Sequence, residues 1–325
     1  MTSFEAECTI PQRGVQQFGP AWIRVEGPWR LMEASRSIGA AETIKILPET
    51  FASRERLVQS AGASQRLVDA VQQSRRSGPG TEFESLRPFR EGDDPRRIDW
   101  RSTARRRELI VRRHQVERNR DVMMIIDDGR MMGAETGQGV KLDFAVDAAL
   151  NLARVALDGG DRCGAAAYDS EVRGFLPPLA GPAALRAIVD CFYDLRVQWN
   201  ESNFLPMLAQ LQRRQAKRSF LVVLSDVTDP DTAGRLCASL NQLQRRHMVL
   251  FAALKTPLLE QIEKETVVDA FGVARKATAM RLQRDRSRAL HALRRGGVHV
   301  LDVEPEGLTV PLVNRFVELR RRNML

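Results

Sequence analysis

From Asp121 onward the chain alternates between short apolar runs and longer stretches of helical spacing. Residues 122–126 are apolar without interruption, as expected of a central strand covered on both faces, and the run ends in Asp127-Asp128-Gly129. Residues 141–158 place Leu142, Val146, Ala149, Ala153 and Ala156 along one stripe, which predicts a helix closed by Gly159-Gly160. Residues 162–168 and 172–175 predict two short strands around a turn at Asp169-Ser170, and residues 183–193 and 204–215 predict helices. A second fully apolar strand, 219–224, ends in Ser225-Asp226. A helix over 233–245, a third apolar strand over 248–254 and one long helical stretch over 257–295 follow. A last strand over 298–303 and a closing helix over 312–322 complete the pattern. Strands alternating with helices of this length predict an α/β fold with a mostly parallel, doubly wound sheet and helices on both faces.

The first part of the chain reads differently. Residues 21–26 alternate apolar and polar, 43–47 are β-prone, and Gly14, Gly19-Pro20, Gly27-Pro28 and Pro48 punctuate them. That is too little sheet to bury both faces, so it should lean on another part of the molecule. Residues 50–75 carry Leu57, Val58, Leu67, Val68 and Val71 at helical spacing, and Ser77-Gly78-Pro79-Gly80 makes a turn or linker. The expected division is therefore a β-rich segment over 1–50, a helix and charged junction over 51–120, and the α/β domain over 121–325. No apolar run reaches the ~18–20 residues of a membrane helix. The start of the chain lacks the regions of a signal peptide. The expectation is a soluble, cytoplasmic chain, at most peripheral at the inner membrane.

The formal net charge of +9 changes the picture, because most of it is arginine. Guanidinium suits carboxylates and phosphates, so acidic partners or membrane phosphates come into view. A solvated basic face gives the same count. The four cysteines (Cys8, Cys163, Cys191, Cys237) form no C-x-x-C pair and have no neighbouring His, which predicts reduced, buried thiols.

Two constellations could carry chemistry. Ligands of open α/β sheets bind beyond the carboxyl ends of the strands, where Asp127 and Asp226 fall. Adjacent carboxylates repel unless a cation or hydrogen-bond donors intervene, and magnesium suits such hard oxygen ligands. An Asp after a strand is equally a helix cap or turn residue. The second constellation is the block from Glu84 to Trp100, continuing through Arg105 to Arg113. It mixes acids, arginines and an indole around a turn at Gly92-Asp93-Asp94-Pro95. It reads either as an ion-pair and cation–π cluster at a junction or as an Arg-lined contact. Aromatics at 6% and the interleaved acids argue against a nucleic-acid surface. No nucleophile elbow, phosphate-binding loop or H-E-x-x-H is present. His114, His247, His291 and His299 are isolated, and a turn accounts for Tyr168 and Asp169.

The elements Phe83 to Trp100, Ala104-Arg105, the strand ending at Asp127, Gly160-Asp161-Arg162-Cys163-Gly164, Arg218 to Asp226, Arg246 to Leu250 and Asp302 to Pro305 resemble the domain of unknown function 58 family. Within them Gly92-Asp93-Asp94, Arg97, Asp99, Trp100 and Arg105 form the most specific element. The likeness spans roughly residues 10–325 and implies a von Willebrand factor A-like domain behind an incomplete β-sandwich. It implies a binding or assembly factor, with a MoxR-type AAA+ ATPase and other A-domain proteins as partners. The residues show no catalytic set and no evident small-molecule substrate, so the expectation is a non-enzymatic protein. The likeness also implies a metal site of the D-x-S-x-S type, and here the match is degenerate. Asp127 and Asp226 fit the two acids, Ser202 or Asn203 the intervening Thr, while Gly129 and Met131 replace both Ser. The expectation is no required cofactor, with magnesium the only metal to consider and Asp128 as a compensating ligand. Two other classes stay open: an Arg-rich peripheral binder of nucleic acid or anionic membrane, and a metal-dependent hydrolase.

Overall fold

Three strands in which every residue is buried organise the molecule: β7 (Asp121–Asp127), β12 (Ser219–Ser225) and β13 (Met248–Leu254). With β10 (Arg162–Tyr168), β11 (Val172–Leu179) and β14 (His299–Val303) they form a six-stranded sheet of order β11-β10-β7-β12-β13-β14. All neighbours are parallel except the edge strand β11, which runs antiparallel to β10. The computed structural model describes residues 13–27, 29, 31–46, 82–90, 98–106, 108–115, 120–137, 139–227, 230–267 and 269–321. The helix expected over 50–75 and the turn at 77–80 lie outside these residues.

Alternation along β7 sends Val122, Met124 and Ile126 into one core and Met123 and Ile125 into the other. On the first face lie α2 (Lys141–Asp158), α3 (Pro182–Phe192) and α8 (Thr309–Arg321), contributing Leu142, Ile188 and Phe316. On the second lie α4 (Leu205–Arg214), α5 (Pro230–Gln244) and α7 (Ala270–Arg295), contributing Leu211, Leu240 and Leu293. Burying each such side chain is worth ~1.5–3 kcal/mol, which is why unbroken apolar runs specify central strands.

The stretch expected as one helix over 257–295 is two. α6 (Pro257–Lys264) ends at Glu265, and α7 begins where the Asp269 side chain accepts a hydrogen bond from the Gly272 N–H at 2.7 Å. An N-cap of this kind starts a new helix whatever the apolar spacing on either side. The strand expected over 172–175 runs on to Leu179 by pairing with Cys163 on β10. Cys163, Cys191 and Cys237 are free thiols, and only Cys163 is fully buried.

Before the sheet come β1 (Gly14–Phe18), β2 (Ala21–Glu26), β3 (Glu33–Ile38) and β4 (Glu42–Ile46), paired as β1 with β4 and β2 with β3. This small β segment leans on the α2 and α3 side. Arg13 reaches Asp143 at 2.7 Å and donates to the Phe192 carbonyl at 2.8 Å, and Lys45 lies 4.9 Å from the Tyr193 ring centre. β5 (Glu82–Pro88) and β6 (Ile110–Gln115) form a hairpin around α1 (Trp100–Arg106), and β8 (Glu135–Thr136) pairs with β9 (Gly139–Val140) just ahead of α2.

The turn from α2 into β10 and the start of that strand depend on two glycines. Gly160 takes φ +86°, a left-handed turn that a side chain disfavours. A Cβ on Gly164 would meet the Met123 sulfur and come within 2.6 Å of the Leu176 carbonyl oxygen. Gly164→Ala is therefore expected to destabilise the fold by about 1–3 kcal/mol through overpacking. Denaturant unfolding measures this, and an unchanged midpoint would show that β10 and β11 can move apart.

Candidate functional site at the carboxyl edge of the sheet

From β7 the chain crosses through α2 to β10 on one side, then returns to β12 on the other side of β7. The gap between the carboxyl ends of β7 and β12 is therefore where strand order reverses, the place where such sheets bind ligands. Parallel register sets Tyr168 beside Asp127 and brings Ser225, one residue beyond Leu224, to the same level.

Asp127 is 2% exposed, and both of its oxygens are occupied. Oδ1 accepts from the Ser202 hydroxyl at 2.6 Å and the Gly129 N–H at 2.9 Å, and Oδ2 accepts from the Ser225 hydroxyl at 2.5 Å. Burial raises its pKa, these three donors oppose the rise, and the nearby Asp226 charge adds to it; the net direction is upward. Tyr168, fully buried and edge-on to Phe204 at 5.1 Å, interacts with both Ser225 and Asp127. Its phenol is held protonated by burial and by the neighbouring carboxyl.

Asp226 is satisfied by charge instead. Its Oδ2 accepts from the Lys141 ammonium at 2.5 Å, and its Oδ1 accepts from the Val227 N–H at 2.7 Å and lies 3.3 Å from Arg286 Nε. Lys141 is completely buried and also donates to the Thr256 hydroxyl at 2.7 Å, while Arg286 reaches Asp302 at 2.8 Å. Burial lowers the Lys141 pKa, and attraction to Asp226 opposes that. Lys141 comes from the first-face helix α2 and Arg286 from the second-face helix α7, so the carboxylate is gripped from both layers. Neither cation was singled out from the sequence. The available signal was the position of Lys141, at a helix N-terminus where the backbone dipole disfavours a cation.

Asp169 delivers Ser202. Its carboxylate accepts from Arg173 at 2.6 and 3.1 Å, from Asn200 at 3.0 Å and from the Glu171 N–H at 2.9 Å. Burial raises its pKa, but these donors outweigh burial and hold it at about 2. The Asn200 carbonyl accepts from Arg130 N and the Asp169 carbonyl from Asn203 N, which pins the loop. Ser202, not Asn203, faces Asp127; the Asn203 side chain accepts from the Leu205 N–H at the start of α4. A Cβ on Gly129 would fall on the Ser202 hydroxyl and 3.2 Å from the Asn200 carbonyl oxygen, so this conformation requires glycine there. Tyr168 and Asp169, set aside from the sequence as turn residues, are thus parts of the site.

Beyond these acids opens a cavity of about 460 Å³, with Met131, Phe204, Leu236 and Leu282 along its walls and Arg130, Arg235 and Arg281 among its lining residues. Asp128, expected to supplement Asp127 and Asp226, turns away from this cavity and lines a second one of about 240 Å³. The alternation of a strand end requires this, because successive side chains point to opposite faces. Burial, then Asp169 and Asp127, push its pKa up to about 7. Among the described residues no group of three His, Cys, Asp or Glu side chains could hold a metal ion.

In the charged block, Asp99 is buried and caps α1, accepting from the Ser102 N–H at 3.0 Å. Trp100 is 68% exposed with no described cation over its ring, and Arg105 is exposed. Gly92, Asp93, Asp94 and Arg97 lie outside the described residues, as does the His114 side chain. His247 is buried at the other end of the sheet, its pKa lowered by burial to about 4, and His299 contacts Arg315 at 3.3 Å. Among the described residues no helix is long and apolar enough to cross a membrane.

The sheet is the mostly parallel, doubly wound α/β sheet expected from the sequence, with an acid-ended central strand at its switch point. The family described as "Protein of unknown function DUF58" matches residues 85–292, more than half of the chain, and the chain belongs to that family. It is 26% identical over 265 residues to the uncharacterized protein Rv1480 of Mycobacterium tuberculosis, covering 76% of this chain and 82% of that protein. Uncharacterized protein Mb1516 of Mycobacterium bovis gives the same figures of 26%, 76% and 82%. Among solved structures, the conserved hypothetical protein BatB from Bacteroides thetaiotaomicron is 10% identical over 63% of this chain and 100% of that chain, with a TM-score of 0.41. An aerotolerance-related membrane protein from Bacteroides fragilis is 14% identical over 62% of this chain and 99% of that chain, with a TM-score of 0.39.

Two outcomes follow from the site. Lys141→Met leaves Asp226 with a buried charge it can no longer balance fully, and should cost about 3–5 kcal/mol in denaturant unfolding. Adding Asp226→Asn should recover part of that loss, and strictly additive losses would mean that the two groups do not interact. The second outcome concerns pH. A carboxyl raised in the folded state gives stability that is complete below the ordinary carboxylate pKa and is lost as pH rises through the folded value. With Asp128 near 7 and Asp161 near 6, the melting temperature should rise as pH falls from about 8 to 6.5. Below that range His247, depressed to about 4, acts in the opposite sense. Asp128→Asn should flatten the slope above pH 6.5 when melting is followed by calorimetry; an unchanged slope would assign it to other groups.

Proposed function

We propose that this chain is a non-enzymatic binding and assembly factor that works with a MoxR-type AAA+ ATPase in protein-complex maturation. Its contact is the carboxyl edge around Asp127, Ser202 and Asp226. The observation that carries this reading is how these acids are used. Asp127 accepts from three internal donors, and Asp226 is held by Lys141, Arg286 and a backbone N–H. A general base needs a lone pair free to reach a substrate, and a hydrolytic metal needs open coordination positions.

The residues present do not fit a divalent ion at this edge. Gly129 and Met131 stand where the D-x-S-x-S loop supplies hydroxyls, Ser202 occupies the space a side chain at 129 would need, and Asp226 already faces two cations. What the edge offers is a cavity of about 460 Å³ with apolar walls, where Arg235 and Arg281 are paired with Glu201 and Asp285, which suits a partner segment with an apolar anchor. The family resemblance supplies the ATPase as partner, and the edge supplies the surface.

Asp226→Ala is a poor probe because it unpairs two buried cations. Met131→Glu combined with Leu282→Glu places charge on the cavity walls and leaves the ion pairs intact. Capture of the ATPase by the purified chain should persist in a metal chelator and weaken about thirtyfold in the double variant, the effect of losing a central anchor. Equal capture by wild type and variant, or none by wild type, would overturn this reading.

A further inference from the structure

We infer that the hairpin of β2 and β3 is a membrane-contact element, which lays its apolar face and its tip onto an anionic bilayer surface. The inference does not rest on the partner contact proposed above. The hairpin rises from the segment docked on α2 and α3, whereas the larger cavity is lined by α4, α5 and α7.

The two strands pair from Ala21 with Ile38 to Glu26 with Glu33, and the Gly27 N–H closes the tip by donating to the Met32 carbonyl at 2.8 Å. Every residue of both strands is exposed. Alternate residues along a strand share a face, and so do residues directly opposed across the pair. One face therefore holds Ala21, Ile23 and Val25 with Ala34 and Ile38, and its single charge is Arg36, opposite Ile23. The other face holds Trp22, Arg24 and Glu26 with Glu33, Ser35 and Ser37, and there Arg24 is paired with Glu33. At the tip Trp29, Leu31 and Met32 are 84%, 81% and 78% exposed. A two-stranded hairpin has no interior of its own, so its apolar side chains stay in water until something covers them.

Area and charge select a bilayer over another protein. Two strands of this length make a face of roughly 20 by 10 Å, on the order of 200 Å² and about a quarter of what one partner gives to a specific protein interface. Pairing with a second copy edge to edge is opposed by Arg24, Glu26, Glu33 and Arg36, charged side chains of the kind that guard open strand edges. A bilayer needs neither a large flat area nor a free edge, because its acyl boundary yields around a few inserted apolar side chains. Indole rings such as Trp22 and Trp29 suit that boundary, with an apolar body and an N–H for the headgroups. Arg36 has no acidic partner among the described residues, and the formal net charge of the chain is +9. Both favour anionic headgroups over neutral ones.

Flotation of the full chain with vesicles of phosphatidylcholine alone, and of phosphatidylcholine mixed with phosphatidylglycerol, tests this. The expected result is binding to the mixed vesicles that weakens as salt is raised, with far less binding to the neutral ones. Trp29→Ser combined with Leu31→Ser should weaken binding at least about tenfold, and its circular dichroism should overlay that of wild type because both positions are exposed. Arg36→Gln should weaken it about fivefold and reduce the salt dependence, which gives a second readout if the tip variant folds poorly. The inference is overturned if the mixed vesicles do not bind the chain, if neutral vesicles bind it equally well, or if both variants bind like wild type. It is also overturned if light scattering finds a dimer in wild type and a monomer in the tip variant, which would assign the hairpin to a second copy of the chain.

Discussion

The carboxylate of Asp226 sits between an ammonium from one helical layer and a guanidinium from the other, and the carboxyl edge of the sheet is organised by that contact. Taking an acid and two bases out of water is costly, and only close, well-directed pairing offsets it. The pairing is close: Lys141 lies at 2.5 Å, with Thr256 completing its donors, and Arg286 extends to Asp302 on the last strand. The start of α2, the middle of α7 and the end of β14 are thereby tied to the end of β12. None of the three can shift without exposing or unpairing a buried charge.

This contact also sets the chemistry of the neighbouring acid. With the cations spent on Asp226, Asp127 is left to neutral donors, Ser202, Ser225 and a backbone N–H, in surroundings that raise its pKa. Ser202 reaches it only because Asp169 pins the loop through Asn200 and because residue 129 has no side chain. Two acids at adjacent strand ends thus avoid repulsion by different means, one by ion pairing and one by hydrogen bonding. Both acids border the same cavity, one held by charge and the other by neutral donors.

The sheet was legible in the sequence because its central strands are buried on both faces, and such burial leaves little choice but unbroken apolar runs. Asp127 and Asp226 were legible for the same reason, as the first polar groups after those runs. The break between α6 and α7 was hidden, because apolar spacing continues across it and the decisive Asp269 cap looks like one more charge in a charged stretch. Lys141 carries no sign of burial in the sequence beyond its place at a helix start. Arg286 was one arginine among many on α7, and its depth depends on a strand 60 residues away in the chain. Tyr168 was explained by a turn that does exist, and only the register of β7, β10 and β12 shows that its hydroxyl points into the site.

The abundance of arginine, which the sequence allowed to be read as a solvated face, has a partly internal explanation. At the carboxyl edge Arg286 of α7 meets Asp226 and Asp302. At the opposite edge Arg320 of α8 donates to the Gly159 carbonyl at 2.7 Å and lies 3.5 Å from the buried Asp161. Each guanidinium makes one hydrogen bond and stands at ion-pair distance from a further carboxylate, a reach that its broad planar charge permits. The last two long helices therefore close the two ends of one sheet by the same device. The space at Gly159 left for Arg320 belongs to it as much as the arginine does, since a Cβ there would occupy the position of the guanidinium. Part of the basic composition is thus structural, and a reading of function from net charge alone has to set those arginines aside first.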